Sequence, residues 1–517
     1  MVTPPDADYD VIVIGSGFGG VMAAHPAVHA GKRVLMIERG DWVARGPTNW
    51  GPAGFCELTD AYSREAPYRI ATGGDGNALG TLSCVGGASV FYGGVALRLR
   101  ESDFEPNSEI DHDSGAEWPY RYSDLERYYA RAEAMLGVAG TPGVDPTEPW
   151  RSTGFSQPPD PLAPASNRIA GAARSLGLHP FRLPLAINYT AVDGQPRCVA
   201  CNTCDGFACA IGAKNDLATA TIPSLCRRGL TLTTNTVAVN LVLSGRRIVA
   251  VECRDRATLE PSKFRARAVV LAAGALATPH LLLASDLAKV NPAGDAVGRY
   301  LMRHCNAVVM GAFVRRPAPN GEFHKQLGIQ DYYFGHPSVA HPRGKLGCIQ
   351  QWGTPQVNYV LHYLSGWKRI AARIGVPHTT GLIAIAEDRP HRDNRVALMP
   401  ESTLPSGLPE ATITHAYDAR DLAARQVLVG VARRILKRAG AITTIVHDLL
   451  TFSHAVGTVR LGPDPTGAPL DERGGYRGLD NLYVTDGSAL PKSGGVNPSL
   501  TIAANALRTG DHIVDGL

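Results

Sequence analysis

The stretch Tyr9-Asp-Val-Ile-Val-Ile-Gly-Ser-Gly-Phe-Gly-Gly20, followed by Arg33-Val-Leu-Met-Ile-Glu38, sets Gly15, Gly17 and Gly20 at the spacing G-x-G-x-x-G with an acid 23 residues after the first. The chemistry this spacing suits is phosphate binding. The first glycine makes a tight turn, the second leaves room for a pyrophosphate against bare backbone, and the third lets a helix pack closely on a strand. Phe18 and Gly19 lie inside the turn and are counted among the nucleotide contacts. Glu38 stands where a carboxylate accepts both ribose hydroxyls of an adenosine half. Such a turn needs a buried strand before it and a helix and second strand after it. Val11 to Ile14 and Val34 to Ile37 are apolar throughout, as strands covered on both faces are. Pro26 falls inside the expected helix and predicts a kink or an early end.

A second glycine cluster, Val85-Gly86-Gly87-Ala88-Ser89-Val90-Phe91-Tyr92-Gly93-Gly94-Val95, lets backbone lie flat against a planar or phosphorylated ligand. A third feature holds four of the ten cysteines: Cys198-x-x-Cys201-x-x-Cys204-x-x-x-x-Cys209, followed by Gly212-Ala-Lys214-Asn-Asp216. The spacing is near that of ferredoxins, although the last gap is four residues rather than three. A structural loop, an iron–sulfur cluster and a zinc site all fit it.

The rest of the chain must position these groups. Its 517 residues predict about three domain-sized units or two large interleaved ones. With 44% apolar and 19% charged residues, disordered and fibrous classes are excluded. The 51 Lys and Arg against 47 Asp and Glu leave +4 with no long basic run, so nucleic acid is not an expected partner. No eighteen-residue apolar run exists, so no membrane span is expected. The first ten residues lack the basic region and apolar run of a signal peptide, which reads as cytoplasmic. Alternation predicts strand over 231–243. Ser123-Asp-Leu-Glu126 reads as a capping box ahead of a helix to Leu136, and Asp418 to Ala439 reads as a long amphipathic helix. Pro142 to Pro164 is dense in Pro, Gly, Ser and Thr, an ordered loop or lid. There is no internal repeat.

Further motifs follow in order. Val269-Val-Leu-Ala-Ala273-Gly274-Ala-Leu-Ala-Thr278-Pro279, Ser453-His454-Ala-Val-Gly457-Thr458, Leu479-Asp-Asn-Leu-Tyr-Val-Thr-Asp486-Gly487-Ser488 and Gly494-Gly-Val-Asn497-Pro498-Ser-Leu-Thr501 complete the set. Together with the two glycine clusters, they resemble the glucose-methanol-choline (GMC) family of FAD oxidoreductases from residue 9 to residue 502. The resemblance implies an α/β fold in which a Rossmann-like FAD-binding domain is interleaved with a substrate domain of antiparallel sheet plus helices. The FAD-binding domain is expected over 1–100, 215–300 and 452–517, and the substrate-binding domain over 101–214 and 301–451. Gly86, Gly87, Ser89, Tyr92, Gly93, Gly94 and Val95 would run along the pyrophosphate and flavin, joined by Val237, Ala273, Gly274, Asp486, Gly487, Asn497, Pro498 and Thr501. The loop has no histidine, so FAD is expected to be non-covalent, with Cys84 the one nearby nucleophile.

The implied reaction oxidises a primary or secondary alcohol to an aldehyde or ketone, with hydride passing to flavin N5. His454 would accept the hydroxyl proton and Asn497 would hydrogen-bond the substrate oxygen. A sugar, aminocyclitol or glycosylated natural product is the preferred small-molecule alcohol substrate, and oxygen or another electron acceptor takes the electrons. His304, His324, His336 and His341 are further pocket candidates. Tyr332, Tyr333, Phe334 and Trp352 either wall the pocket or pack the core. Two alternatives remain open: a flavin-bound lyase of the same fold, and a dehydrogenase whose cysteine cluster holds an iron–sulfur centre feeding an electron-transfer partner.

Overall fold

The computed structural model describes residues 8–51, 54–56, 65–71, 78–192, 194–336 and 345–517. Residues 1–7 of the ten read for a leader, and the pocket candidate His341, lie outside these. The apolar run Tyr9–Ile14 forms the middle of a five-stranded parallel sheet, in the order Leu482–Val484, Ala266–Leu271, Tyr9–Ile14, Val34–Ile37 and Thr231–Thr233. Val11 pairs with both Ala268 and Val34, which fixes the register on each side. The carboxyl ends of the four strands flanking and including the centre therefore deliver Gly15, Glu38, Ala272 to Gly274 and Thr485 to Asp486 to one edge, where open parallel sheets bind ligands.

A second sheet has six antiparallel strands in the order Thr443–Asp448, Cys305–Ala312, Thr379–Ala386, Gly347–Trp352, Leu327–Ile329 and Phe181–Arg182. Alternation along the strand at 305–312 sends Ala307 and Val309 to one face and Val308 to the other. The first face is covered by helix Ala419–Arg438 through Leu428, Val431, Ala432 and Ile435. The second joins the main core through Cys348, Ile383 and Ile385. Two smaller sheets complete the fold, one built from Glu65–Ile70, Ala78–Thr81, Arg395–Thr403 and Pro409–Thr414, the other from Thr236–Ser244, Arg247–Asp255 and Pro261–Phe264. No helix among the described residues is long and apolar enough to cross a membrane.

Three local expectations are corrected. The glycine-turn helix Phe18–His29 is not cut short at Pro26 but continues three residues beyond it. Packing offsets the lost backbone bond: a Cβ built on Gly510 of helix Ser499–Asp515 would lie 3.1 Å from Pro26 Cγ and 2.7 Å from the Ala23 carbonyl oxygen. The predicted strand over 231–243 is split between two sheets, because Asn235 turns the chain at φ 53, a conformation Asn tolerates better than most residues. The capping box sits two residues earlier than expected. Helix Tyr122–Met135 starts after Arg121, whose N–H donates to Asp124 at 2.9 Å, while Glu126 turns inward to the Arg98 guanidinium at 3.0 Å. The helix predicted at 418–439 runs Ala419–Arg438 behind an Asp418 cap that accepts from the Asp421 N–H at 2.8 Å.

The glycine turn separates two physical demands. Gly15 adopts φ +105, and a Cβ there would come 2.3 Å from the Ala272 carbonyl oxygen. At Gly20 a Cβ would come 1.9 Å from the Gly15 oxygen, and at Gly19 2.6 Å from the Thr485 oxygen. A Cβ at Gly17 meets nothing within 4 Å, and the residue's φ of −75 suits any amino acid. Protein packing thus requires the first, third and fourth glycines; only a ligand lying against Gly17 requires the second. Gly17→Ala is expected to keep the wild-type unfolding temperature while losing at least about tenfold in FAD affinity, and Gly20→Ala to lose at least about 3 kcal/mol of stability. Thermal unfolding beside the flavin absorbance of the purified variants separates the two, and equal stability loss in both would contradict this division.

Candidate active site

Glu38, at the end of its strand, is buried and accepts from the Ser16 N–H at 3.1 Å, the Ser16 hydroxyl at 2.6 Å and the Gly40 N–H at 2.9 Å. Ser16 Oγ in turn accepts from the Gly86 N–H at 2.9 Å, which joins the first glycine turn to the second glycine loop. A Cβ at Gly274 would likewise meet nothing within 4 Å, although there the φ of +94 already favours glycine. The first turn of the helix behind Gly17 carries no acid to oppose a phosphate. Open backbone at Gly17 and Gly274, a free helix N-terminus and a buried carboxylate at the second strand end fit the adenosine and pyrophosphate of FAD.

The remaining predicted contacts divide by what their side chains touch. Tyr92 packs edge-on against Phe18 with centroids 5.4 Å apart and donates its hydroxyl to the Asn215 carbonyl at 2.8 Å. Ser89 donates to the Gly86 carbonyl at 2.6 Å and so holds the loop's own shape. Gly87 and Gly94 take positive φ, and Gly93 faces Asp205 so closely that a Cβ would come 2.0 Å from its Oδ1. The Val95 carbonyl receives the Ser499 hydroxyl at 3.4 Å. Val237 is buried in its hairpin opposite Arg254, and the Ala273 N–H donates to Thr278 Oγ1 at 3.2 Å. The Gly487 carbonyl accepts from the Gly457 N–H at 3.1 Å, tying the last two motifs together. Pro498 caps the final helix, and Thr501 within it lies 2.8 Å from the Tyr129 hydroxyl.

The four cysteines occupy one loop, but no three of their sulfurs lie within 4.8 Å of one another. Among the described residues, the candidate metal ligands that converge within 4.8 Å of one another in threes belong to His391, Asp418 and Asp421. Burial pushes the Cys198 thiol up to about 11 and Cys204 well above its ordinary value. The loop is anchored by Lys214, a residue whose role the motif did not reveal. Its ammonium, buried, donates to the carbonyls of Tyr92 and Cys204 at 2.8 Å and of Phe207 at 2.9 Å. Burial also raises Cys84 far above its range, with the Glu38 and Asp216 charges adding to the effect.

On the facing side, His454 Nε2 lies 3.3 Å from Asn497 Nδ2, so the structure brings the two predicted catalytic residues together. Asn497 Oδ1 accepts from Gln350 Nε2 at 2.6 Å. The Nδ1 atoms of His454 and His304 are 2.9 Å apart, with ring planes at 88°. Gln350 comes from strand Gly347–Trp352, and His304 immediately precedes strand Cys305–Ala312. The substrate-side sheet therefore completes a cluster begun by the C-terminal segment. Lys325 donates to Asp205 at 2.6 Å, with its ammonium 5.2 Å from the centre of the Trp352 ring. Burial first, then His304 and the Lys325 ammonium, hold the His454 imidazole well below its ordinary value.

The other pocket candidates are placed elsewhere. His324 is a satisfied core histidine, its ring 2.8 Å from the Glu322 carbonyl and 3.1 Å from Thr380 Oγ1. His336 stacks edge-on against Tyr332. Tyr333 is buried and donates to Asp103 at 2.7 Å, while Phe334 is exposed.

The N-terminal GMC oxidoreductase profile matches residues 10–306 and the C-terminal profile residues 390–506. The chain is 33% identical to the 6'''-hydroxyparomomycin C oxidase of Streptomyces lividus over 99% of this chain and 92% of that one. It is 32% identical to the paromamine 6'-oxidase of Streptomyces fradiae over the same shares, 99% and 92%. Its fold is similar to that of pyridoxine 4-oxidase from Mesorbium loti, with a TM-score of 0.64 and 20% identity over 98% of this chain and 99% of that one. With both profiles matched over most of its length, this chain belongs to the GMC oxidoreductases, enzymes that depend on FAD.

Proposed function

We propose that the protein oxidises a hydroxyl group of an amine-bearing sugar or aminocyclitol, with FAD held non-covalently. The observation that carries this reading is the pairing of His454 Nε2 with the Asn497 amide at 3.3 Å, in a cluster whose imidazole is neutral at rest. A neutral imidazole accepts the hydroxyl proton, and an amide N–H hydrogen-bonds the same oxygen without competing for that proton. FAD, when bound, supplies the hydride acceptor. Glu38, the bare backbone at Gly17 and Gly274, and the loop from Gly86 to Val95 would hold it. The protonated state of buried Cys84 supports a dissociable cofactor.

The substrate class rests on the two Streptomyces relatives, whose names describe oxidation of aminoglycosides and which align over nearly their whole lengths. We assign residues 1–100, 215–300 and 452–517 to the FAD unit, since every strand of the parallel sheet comes from them, and 101–214 and 301–451 to the substrate unit. Oxygen or another acceptor reoxidises the cofactor.

Mixed anaerobically with paromamine, the holoenzyme is expected to lose its flavin absorbance; an unchanged spectrum with this and other amino sugars would sink the substrate reading. His454→Ala should slow that bleaching by at least about 100-fold with FAD content unchanged, and a variant that bleached at the wild-type rate would remove the assigned base. The pH dependence has a definite sign. Because the His454 value lies below 6.5, the base stays unprotonated as pH falls through 6.5. The bleaching rate should hold steady through that pH and decline only in more acid solution; an acid limb centred above 6.5 contradicts a depressed base.

A further inference from the structure

We propose that His304 is a positioning residue that sets the tautomer of His454, keeping the proton on its Nδ1 and the lone pair on its Nε2. The inference rests on the reading of His454 as proton acceptor and extends it to His304, which the sequence offered only as a further pocket candidate. The argument begins at the far end of the pair. His304 Nε2 lies 2.8 Å from the Gly494 carbonyl oxygen and 3.2 Å from that of Ser493. Carbonyl oxygens only accept, so this nitrogen carries a proton. A neutral imidazole has one N–H, which leaves His304 Nδ1 bare. The His454 Nδ1 atom 2.9 Å away must therefore be the donor, and its own Nε2 is left with the lone pair. Asn497 agrees with this direction, since Gln350 donates to its Oδ1 at 2.6 Å and turns its Nδ2 toward His454.

The backbone at His304 is committed to this orientation. It adopts φ +61, a left-handed conformation uncommon for residues other than Gly, Asn, Asp and His. Asp388 holds it there by accepting the N–H groups of Arg303 at 2.8 Å and His304 at 3.0 Å, and the Tyr417 hydroxyl donates to the His304 carbonyl at 2.7 Å. The ionisable groups facing His304 are thus Asp388, Arg303, Tyr417 and His454, with His415 behind Asp388 at 3.6 Å. Burial keeps the His304 ring neutral despite Asp388. A cationic His304 would donate from both nitrogens and reverse the chain. When the substrate O–H bond breaks and its proton joins His454 Nε2, the existing Nδ1–H bond to His304 becomes charge-assisted and strengthens.

The test compares His304→Gly, His304→Asn and His304→Asp in the holoenzyme. All three tolerate positive φ, and Asn offers an amide oxygen near the position of Nδ1. Nitrogen NMR of isotope-labelled histidine reads the His454 tautomer without any substrate, and anaerobic bleaching reads kcat and KM separately. In the wild type, His454 should be protonated on Nδ1. In His304→Gly the Nε2-protonated form should become populated and kcat fall at least about tenfold with KM little changed, added imidazole restoring part of the loss. His304→Asn should recover most of the lost rate, and His304→Asp should move the acid limb of the pH profile upward. An unaltered His454 tautomer in His304→Gly, or His304→Asn no faster than His304→Gly, overturns the proposal. If the wild type bleaches with no alcohol, the reading of His454 fails by itself, while the NMR comparison still decides whether His304 sets the tautomer.

Discussion

Asp486 is a carboxylate closed off from solvent at the point where three distant segments meet. Its Oδ2 accepts from the Gly274 N–H at 2.8 Å and the Thr278 hydroxyl at 2.5 Å, and its Oδ1 from the Ser488 N–H at 2.8 Å and hydroxyl at 2.5 Å. Gly19 approaches so closely that a Cβ would touch the Asp486 Cα at 2.8 Å. Burial raises this carboxyl's pKa, and four donors work against that shift. A buried charge without such donors would be costly, so the four are obligatory rather than decorative. The bare backbone at Gly17 and at Gly274 can serve one ligand only if the strands ending at Ile14, Leu271 and Val484 keep a common register, and Asp486 is the knot that holds their ends.

The opposite wall depends on the antiparallel sheet. Cys305 and Gly347 both pair with Ala386, so the chain just outside these strands carries His304 and Asp388 at the same sheet edge. His454 and Asn497 reach that edge from the C-terminal segment, which also provides Asp486. One stretch of chain therefore carries both the knot of the nucleotide side and the base of the catalytic side. This explains how two sheets with no strand in common share one site, since the Gly457–Gly487 bond joins the two motifs directly.

What could be read from the sequence was what local chemistry forces. Strands buried on both faces must be apolar throughout, which made Val11 to Ile14 and Val34 to Ile37 legible, and glycines that abut carbonyl oxygens cannot be anything else. The Asp418 cap was visible because a cap is a local bond. Where tertiary demands compete, local reading slipped: Glu126 has the right type and spacing for a cap but is drawn to buried Arg98, and Asn235 breaks an alternation that continues past it. Lys214 was invisible in another sense, since lysine is ordinarily a surface residue and nothing nearby announces three carbonyls waiting for it. His304 and Gln350 lie 150 and 147 residues from the side chains they meet, and only the strand order brings them there.

The choice of a histidine rather than a carboxylate behind His454 has a chemical consequence. A carboxylate on Nδ1 would favour the imidazolium at all times, and in a site facing Lys325 it would also compete for that ammonium. Here the nearby carboxylate, Asp388, instead bonds the backbone N–H groups of Arg303 and His304. His454 is then met on Nδ1 by a neutral lone pair, which leaves it unprotonated at rest. The same lone pair interacts more strongly once positive charge develops on His454. An interaction that is stronger in the reacting state than in the resting one is the kind that lowers a barrier instead of merely tightening binding.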